Sequence, residues 1–273
     1  MEFFTIAGGI SVHVWDTGDE GVSSSGKTIL LLHGYLETMY VFNELVEALK
    51  PYYRVITLDL PGHGLTDSAP ADAKGIRVNT VQFDVPVIAG VMEKCGVSKA
   101  LIAGHSMGGY ITLECIKDRP ELFERAILLN SHPFPDLPEM EEKRKREIEV
   151  VAGGKLLQLA ELSIPRMYFS ENLRECDEKI RETAELCETH NPEGIIASIR
   201  GIQQRPDLQS VMLNSPVPLT LIHGDHDNFL PMERVEEMKQ KFDKVEYRLI
   251  PSTGHNSFIE NLPEVVKALT AYC

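Results

Sequence analysis

The residues that could do chemistry begin with Ser106, in the segment Gly104-His105-Ser106-Met107-Gly108. An apolar stretch precedes the segment and a helical pattern follows it, which is the strand–turn–helix context of a nucleophile elbow. Residues two before and two after such a serine must be small, because the strand and helix backbones nearly touch. Gly104 and Gly108 meet that need. A serine nucleophile is therefore predicted, although so short a pattern can also arise as a chance glycine-rich turn.

A serine hydroxyl needs a histidine to take its proton and an acid to orient that histidine. Gly254-His255 follows the last predicted strand, and Asp225 and Asp227 follow the strand before it. Either carboxylate could in principle reach His255. Asp227 is favoured, since two more residues of turn let it project across the end of the sheet, whereas Asp225 is better placed to bind backbone N–H groups. Ser106, Asp227 and His255 are the predicted catalytic residues.

The elements that must position these residues alternate along most of the chain. Short apolar runs predict strands near residues 3–6, 10–15, 28–32, 55–58, 100–103, 126–129, 219–223 and 245–250. Helical patterns lie between or after them near residues 39–49, 80–95, 107–117, 233–242 and 263–272. Such alternation implies an α/β fold with a mostly parallel sheet, right-handed crossovers and an antiparallel hairpin at its start. Loops at the carboxyl ends of the strands would carry the chemistry.

The alternation stops between residues 131 and 205. This stretch is highly charged, has apolar residues at helical spacing, and is broken at Gly153-Gly154, Pro165 and Pro192. It predicts a helical insertion of three or four pieces after the sixth strand, between core segments 1–130 and 206–273, and the family resemblance given below implies that this insertion is a cap. Its apolar residues could line a pocket or only attach the insertion to the core, and both roles stay open for Leu156, Leu159, Leu162, Met167 and Phe169.

Composition narrows the classes of partner. The chain has 273 residues, is 43% hydrophobic and carries a net charge of −14, which opposes binding to nucleic acid or anionic membranes. The basic run Lys143 to Arg146 is bracketed by glutamates and predicts a solvated helix face rather than an anion site. No apolar run approaches the roughly 20 residues of a membrane span, and the first residues do not resemble a signal peptide. A cytoplasmic protein with a small-molecule partner is expected.

Cofactor and metal sites are not expected. The five cysteines are scattered without C-x-x-C spacing, so neither a zinc site nor a disulfide framework is predicted. Four residues of types that bind metals lie close together in the sequence: His223, Asp225, His226 and Asp227. The same turn, however, already holds the predicted catalytic acid.

Five ordered motifs carry a family resemblance: His33-Gly34, Asp59-Leu60-Pro61-Gly62-His63-Gly64, the elbow, Gly224-Asp225-His226-Asp227 and Gly254-His255. With them the chain resembles the α/β-hydrolase fold family, in particular its small, cofactor-free serine hydrolases of the esterase and haloperoxidase-like group. The resemblance implies an eight-stranded sheet and the chain order Ser106, Asp227, His255. It also implies an oxyanion hole made by the backbone N–H groups of Tyr35 and Met107, and no cofactor. An amide at Asn130 cannot serve as the alternative acid that some relatives place there.

The expected activity is hydrolysis of carboxylic esters or related acyl compounds, of apolar character, through an acyl-enzyme on Ser106. A serine at the elbow argues against epoxide hydrolase or haloalkane dehalogenase chemistry, since those relatives use aspartate there. Perhydrolase, thioesterase, carbon–carbon bond hydrolase and lyase activities use the same three residues and stay open. A non-catalytic ligand-binding homologue is the alternative from another class.

Overall fold

Eight strands form one sheet in the computed structural model, which describes residues 1–18 and 26–273. The strands are β1 Glu2–Ala7, β2 Ile10–Asp16, β3 Thr28–Leu32, β4 Arg54–Leu58, β5 Ala100–His105, β6 Phe123–Leu129, β7 Leu219–Gly224 and β8 Glu246–Ile250. Their order across the sheet is β1-β2-β4-β3-β5-β6-β7-β8. The β1–β2 and β2–β4 pairs are antiparallel and the others are parallel. The predicted sheet with its N-terminal hairpin is confirmed.

The apolar runs form strands because both faces of the sheet are covered. Every residue of β3, β5 and β7 is buried, as expected of parallel strands between two helical layers. One face packs with the helices α2 Val81–Lys94 and α3 Met107–Asp118. The other face packs with α1 Asn43–Leu49 and α11 Leu262–Thr270. The centre of the sheet is therefore a rigid base for the loops at its carboxyl end.

The remaining helices are α4 Pro138–Ala152, α5 Leu156–Ser163, α6 Asp177–Cys187, α7 Pro192–Gln203, α8 Gln209–Leu213, α9 Met232–Lys241 and α10 Ser257–Glu260. Short 3-10 turns lie at Met39–Phe42, Pro120–Leu122 and Ile164–Met167. The predicted helix over 39–49 is thus a 3-10 turn followed by α1. Thr38 caps this turn, and Asp59 accepts the N–H of Met39 at 3.0 Å, so its start is fixed by a neighbouring strand end.

Residues 131–205 contain four α-helices and one 3-10 turn, which pack around a cluster of their own. That cluster includes Leu36, from the loop after β3. The turn Ile164–Met167 reaches the loop after β8, where the Met167 carbonyl accepts the N–H of His255 at 2.7 Å and that of Asn256 at 3.0 Å. The insertion is therefore bonded directly to the loop that carries the predicted catalytic histidine. No helix in the described part of the chain is long and apolar enough to span a bilayer.

Candidate active site

Ser106 lies in the sharp turn between β5 and α3. Its backbone has φ 49° and ψ −111°, a strained conformation for a residue with a side chain. A Cβ at Gly104 would lie 2.1 Å from the Gly108 carbonyl oxygen, and one at Gly108 would lie 2.3 Å from that of Leu32. Neither position can hold a larger residue without moving the backbone. The steric requirement deduced for the elbow is thus present in the packing of β3, β5 and α3.

The loops after β7 and β8 bring Asp227 and His255 together. Asp227 Oδ2 accepts a hydrogen bond from His255 Nδ1 at 2.8 Å, and both side chains are buried. Asp227 Oδ1 accepts the backbone N–H groups of Phe229 at 2.7 Å and Leu230 at 3.2 Å, which fixes the carboxylate plane. Asp225 instead accepts the N–H of Thr253 at 3.1 Å. The two carboxylates therefore do different work: Asp227 binds the histidine and Asp225 ties its loop to the neighbouring one.

Asp227 and His255 each shift the pKa of the other. Burial by itself raises the pKa of Asp227, but the adjacent His255 outweighs it and lowers the pKa below its usual range. Burial likewise lowers the pKa of His255, but the Asp227 carboxylate outweighs it and raises the pKa above its usual value of 6.5. A proton arriving on His255 is therefore stabilised by the ionised acid behind it.

Ser106 and His255 line the same cavity, which has a volume of about 940 Å³. With Nδ1 bound to Asp227, His255 has only Nε2 free for that cavity. Within the described residues, no hydrogen bond joins Ser106 Oγ to His255 Nε2. Such contacts are often long in an unliganded enzyme and shorten when substrate binds.

The N–H groups of Tyr35 and Met107 have no hydrogen-bond acceptor among the described residues. Met107 is the first residue of α3, where an N–H has no partner within the helix. Tyr35 and Met107 both line the cavity that contains Ser106. Two unused donors at the nucleophile are what an oxyanion needs.

Glu37 is a residue that the sequence analysis missed. Its buried Oε2 accepts the N–H of Gly34 at 2.6 Å and a hydrogen bond from His105 Nδ1 at 2.9 Å. His105 Nε2 in turn lies 3.1 Å from the carbonyl oxygen of His255. One carboxylate thus connects the loop of Tyr35, the residue before Ser106 and the histidine loop.

Asn130, which was dismissed as an acid, binds the loops of Asp227 and His255 from the end of β6. Its Nδ2 donates to Asp227 Oδ2 and to the Gly254 carbonyl, each at 3.0 Å, and its Oδ1 accepts from Ser257 at 2.6 Å. Its φ of 49° is one that asparagine tolerates better than most residues. The sequence offered one signal for this role: the asparagine directly follows the sixth strand, at the edge of the sheet where the other strands also end.

The prediction that Lys143 to Arg146 form a solvated face is wrong for Arg144, whereas the Lys143 side chain is 42% exposed although it lines the cavity, as Arg146 also does. Lys145 and Arg146 are exposed, but the Arg144 side chain is only 13% exposed. Arg144 binds Glu147 at 3.0 Å and Asp136 at 3.4 Å. Lys143 and Arg144 line the cavity with Met140 and Glu147, because these positions recur on one face of α4.

The apolar residues expected to line a pocket or attach the insertion do both. Leu159, Leu162 and Met167 line the cavity. Leu156 is buried in the core of the insertion, and Phe169 stacks on His226 with ring centroids 3.9 Å apart. The two roles are divided among residues of the same stretch.

Comparison with known proteins identifies the family to which this chain belongs. Residues 27–262 match the model of the alpha/beta hydrolase fold family, and the chain belongs to that family. An uncharacterized hydrolase of Bacillus subtilis is 25% identical over 252 residues, with 88% of this chain and 87% of the relative covered. A pimeloyl-[acyl-carrier protein] methyl ester esterase of Nitrosospira multiformis is 24% identical over 258 residues, covering 92% and 94%. The structure of a thermophilic esterase from Thermogutta terrifontis, with malate bound, superposes with a TM-score of 0.89 at 26% identity and covers 100% of this chain and 97% of that one.

Proposed function

We propose that this protein is a serine hydrolase that cleaves carboxylic esters through an acyl-enzyme on Ser106. The observation that carries the proposal is one cavity lined by a strained serine and by a histidine whose far side is bound to a buried carboxylate. The esterase names among the similar proteins support the same reaction class. The roles of Ser106, Asp227 and His255 follow from that arrangement.

In the first half of the reaction, His255 Nε2 takes the proton of Ser106 Oγ as the oxygen attacks the ester carbonyl carbon. The carbonyl oxygen becomes negatively charged and accepts hydrogen bonds from the N–H groups of Tyr35 and Met107. Asp227 stabilises the positive charge on His255 through Nδ1. The bond to the leaving oxygen then breaks, the alcohol takes the proton from Nε2, and the acyl group stays on Ser106.

The second half reverses these roles with water as the nucleophile. His255 Nε2 removes a proton from water, and the hydroxyl oxygen attacks the acyl carbon. The same two N–H groups bind the second oxyanion. The bond to Ser106 breaks, Ser106 Oγ regains a proton from His255, and the carboxylic acid leaves. No cofactor takes part in this scheme.

Residues 131–205 act as a cap in this proposal. Leu159, Leu162 and Met167 supply apolar surface beside the acyl group, while α4 supplies a charged wall. Thioester, perhydrolase, carbon–carbon bond and elimination chemistry use the same three residues. We place ester hydrolysis first, because the similar proteins include a pimeloyl-[acyl-carrier protein] methyl ester esterase and a thermophilic esterase.

Labelling with a fluorophosphonate tests the proposal against a non-catalytic binding protein. Covalent modification at Ser106, found by peptide mass spectrometry, together with hydrolysis of chromogenic esters of graded acyl length, is the expected result. A protein that is folded but neither labelled nor active on any ester of the panel is not a serine esterase. Adding a thioester of matched acyl length to the panel separates esterase from thioesterase preference.

The acid side of the pH–rate profile gives a second test. His255 accepts a proton only when neutral, and the Asp227 carboxylate raises its pKa above 6.5. We therefore expect kcat/KM to fall as the pH drops through a value above 6.5. The measurement is a profile from about pH 5 to about pH 9 at constant ionic strength, with folding followed by circular dichroism. A fall that occurs only below pH 6.5, in protein that is still folded, contradicts the assigned pair.

Truncating the apolar wall is expected to change the preference for acyl length. Leu159→Ala should lower kcat/KM for a long-chain ester by about tenfold relative to a short-chain ester, because lost apolar contact weakens binding only where the chain reaches it. Leu213→Ala on α8 is the matched control, since this leucine is 40% exposed and lies outside the cavity lining. An unaltered ratio in Leu159→Ala means that the wall does not contact the acyl chain.

A further inference from the structure

The cavity differs in charge from the protein that surrounds it. Six basic side chains line it: Lys143, Arg144, Arg146, Arg166, Arg205 and Arg234. The acidic residues that line it are four: Asp136, Glu147, Glu233 and Glu237. The whole chain has 41 acidic and only 27 basic residues. An excess of positive charge beside Ser106, in so acidic a protein, needs an explanation other than average composition.

Part of this charge is neutralised within the wall itself. Asp136 binds Arg205 at 2.6 Å and Arg144 at 3.4 Å, and Glu147 binds Arg144 at 3.0 Å. The side chains of Asp136 and Arg205 are almost fully buried. These groups satisfy one another and hold the start of α4 against α7. Their charges are accordingly not available to a ligand.

Arg234 binds Glu237 at 2.7 Å, and the cations left with incomplete partners among the described residues are Lys143, Arg146 and Arg166. Arg146 lies off the face of α4 that Lys143 shares with Met140 and Glu147. Lys143 Nζ lies 3.7 Å from Glu147 Oε1, a carboxylate already bound to Arg144. Arg166 has no carboxylate within ion-pair distance among the residues that the structure describes. Lys143 and Arg166 line the same cavity. Burial lowers the pKa of Lys143, Glu147 opposes this, and the positive charges of Arg144 and Arg166 lower it further. A negative charge placed between Lys143 and Arg166 would relieve that repulsion.

Both cations lie close to the reacting groups. Lys143 Nζ is 5.8 Å from the centre of the Phe229 ring, and that ring centre is 4.8 Å from the His255 ring. Arg166 directly precedes Met167, whose carbonyl accepts the N–H of His255 at 2.7 Å. The Arg166 carbonyl itself accepts Asn228 Nδ2 at 3.1 Å. The Phe229 ring thus lies between Lys143 and His255, and Arg166 belongs to a segment bonded to the loop of His255.

We propose that Lys143 and Arg166 form an anion subsite that binds a carboxylate carried by the ester substrate, several bonds from the scissile carbonyl. This inference rests on the proposed esterase function and narrows its substrate to anionic esters. The apolar surface of Phe229 between Lys143 and His255 suits a methylene spacer. A carboxylate accepts hydrogen bonds from an ammonium and a guanidinium at once, which gives charge-assisted bonds on both sides. The carboxylate can belong to the acyl part or to the alcohol part of the ester.

The test compares esters that differ only in this carboxylate. Monomethyl adipate against methyl hexanoate places it on the acyl side, and 5-acetoxypentanoate against pentyl acetate places it on the alcohol side. We expect the wild-type protein to prefer the anionic ester of one pair by at least about tenfold in kcat/KM. The preference should shrink as KCl is raised from about 20 mM to about 300 mM, because salt screens a partly exposed charge pair.

The variants Lys143→Met and Arg166→Met should each lower the ratio of anionic to neutral kcat/KM by about tenfold. Lys145→Met is the matched control: it lies on the same helix, is 59% exposed and pairs with Glu142 on the outer face. It should keep the wild-type ratio, and melting temperatures verify that all three variants fold.

Equal turnover of the anionic and neutral esters in both pairs overturns the subsite while leaving the esterase proposal intact. A wild-type preference that Lys143→Met and Arg166→Met do not reduce also overturns it. If the wild-type protein hydrolyses no ester and is not labelled by a fluorophosphonate, the proposed function fails and the subsite falls with it.

Discussion

Ser106→Ala is expected to reduce ester hydrolysis by about 10⁶-fold and to leave the fold intact. The loss is expected to be this large because the nucleophile, its base and its acid act as a unit. His255 and Asp227 cannot compensate for a missing nucleophile. Alanine fits the strained turn no worse than serine, because the steric limits fall on Gly104 and Gly108. The measurement is kcat/KM on the best ester of the panel, with fluorophosphonate labelling in parallel.

Ser210→Ala provides the control for this substitution, because Ser210 is exposed on α8 and lies outside the cavity lining. It should retain wild-type turnover and labelling. Residual activity of Ser106→Ala within about tenfold of wild type would show that the hydrolysis uses another nucleophile.

Asp227→Asn is expected to cut turnover by about 10⁴-fold. With the amide oxygen accepting the N–H groups of Phe229 and Leu230, the NH₂ group would face His255 Nδ1. Nδ1 must then become the acceptor, and the proton moves to Nε2, the atom that should receive the proton of Ser106. The histidine would be present but in the wrong tautomer.

Asp225→Asn is the matched variant, two residues away on the same loop. Its amide oxygen can still accept the N–H of Thr253, so turnover should fall by less than about tenfold and the change should appear mainly in the melting temperature. Measuring kcat/KM and melting temperature for both variants separates the roles. A large loss of turnover in Asp225→Asn with a small one in Asp227→Asn would assign the catalytic acid to Asp225.

Local rules predicted the parts of this fold that local sequence controls. The strands were recognisable because buried parallel strands need continuous apolar runs, and the elbow because backbone contact demands glycine on both sides of Ser106. The side-chain placement of Asp227 and Asp225 could be argued from the length of one turn. These inferences need only a few neighbouring residues.

What sequence alone did not reveal depends on contacts distant along the chain. Glu37 meets His105 across 68 positions, and Asn130 meets Asp227 across 97. No spacing rule connects such residues, and asparagine or glutamate near a strand end has many ordinary explanations. The inward face of α4 was missed for a related reason. Its periodicity shows which residues share a face, but only packing against α7 and α5 shows that Lys143 and Arg144 face the cavity.

Hydrogen exchange at the backbone amides of His255 and Asn256 can report on the contact between the insertion and the histidine loop, because both amides donate to the Met167 carbonyl. Both N–H groups end on a single oxygen of residues 131–205, so they can exchange with solvent deuterium only when this attachment breaks. The exchange rates of these two amides should therefore report how often the insertion detaches. Each detachment also removes one backbone hydrogen bond from His255, so the exchange rates would show how often the proposed base loses its contact with the insertion.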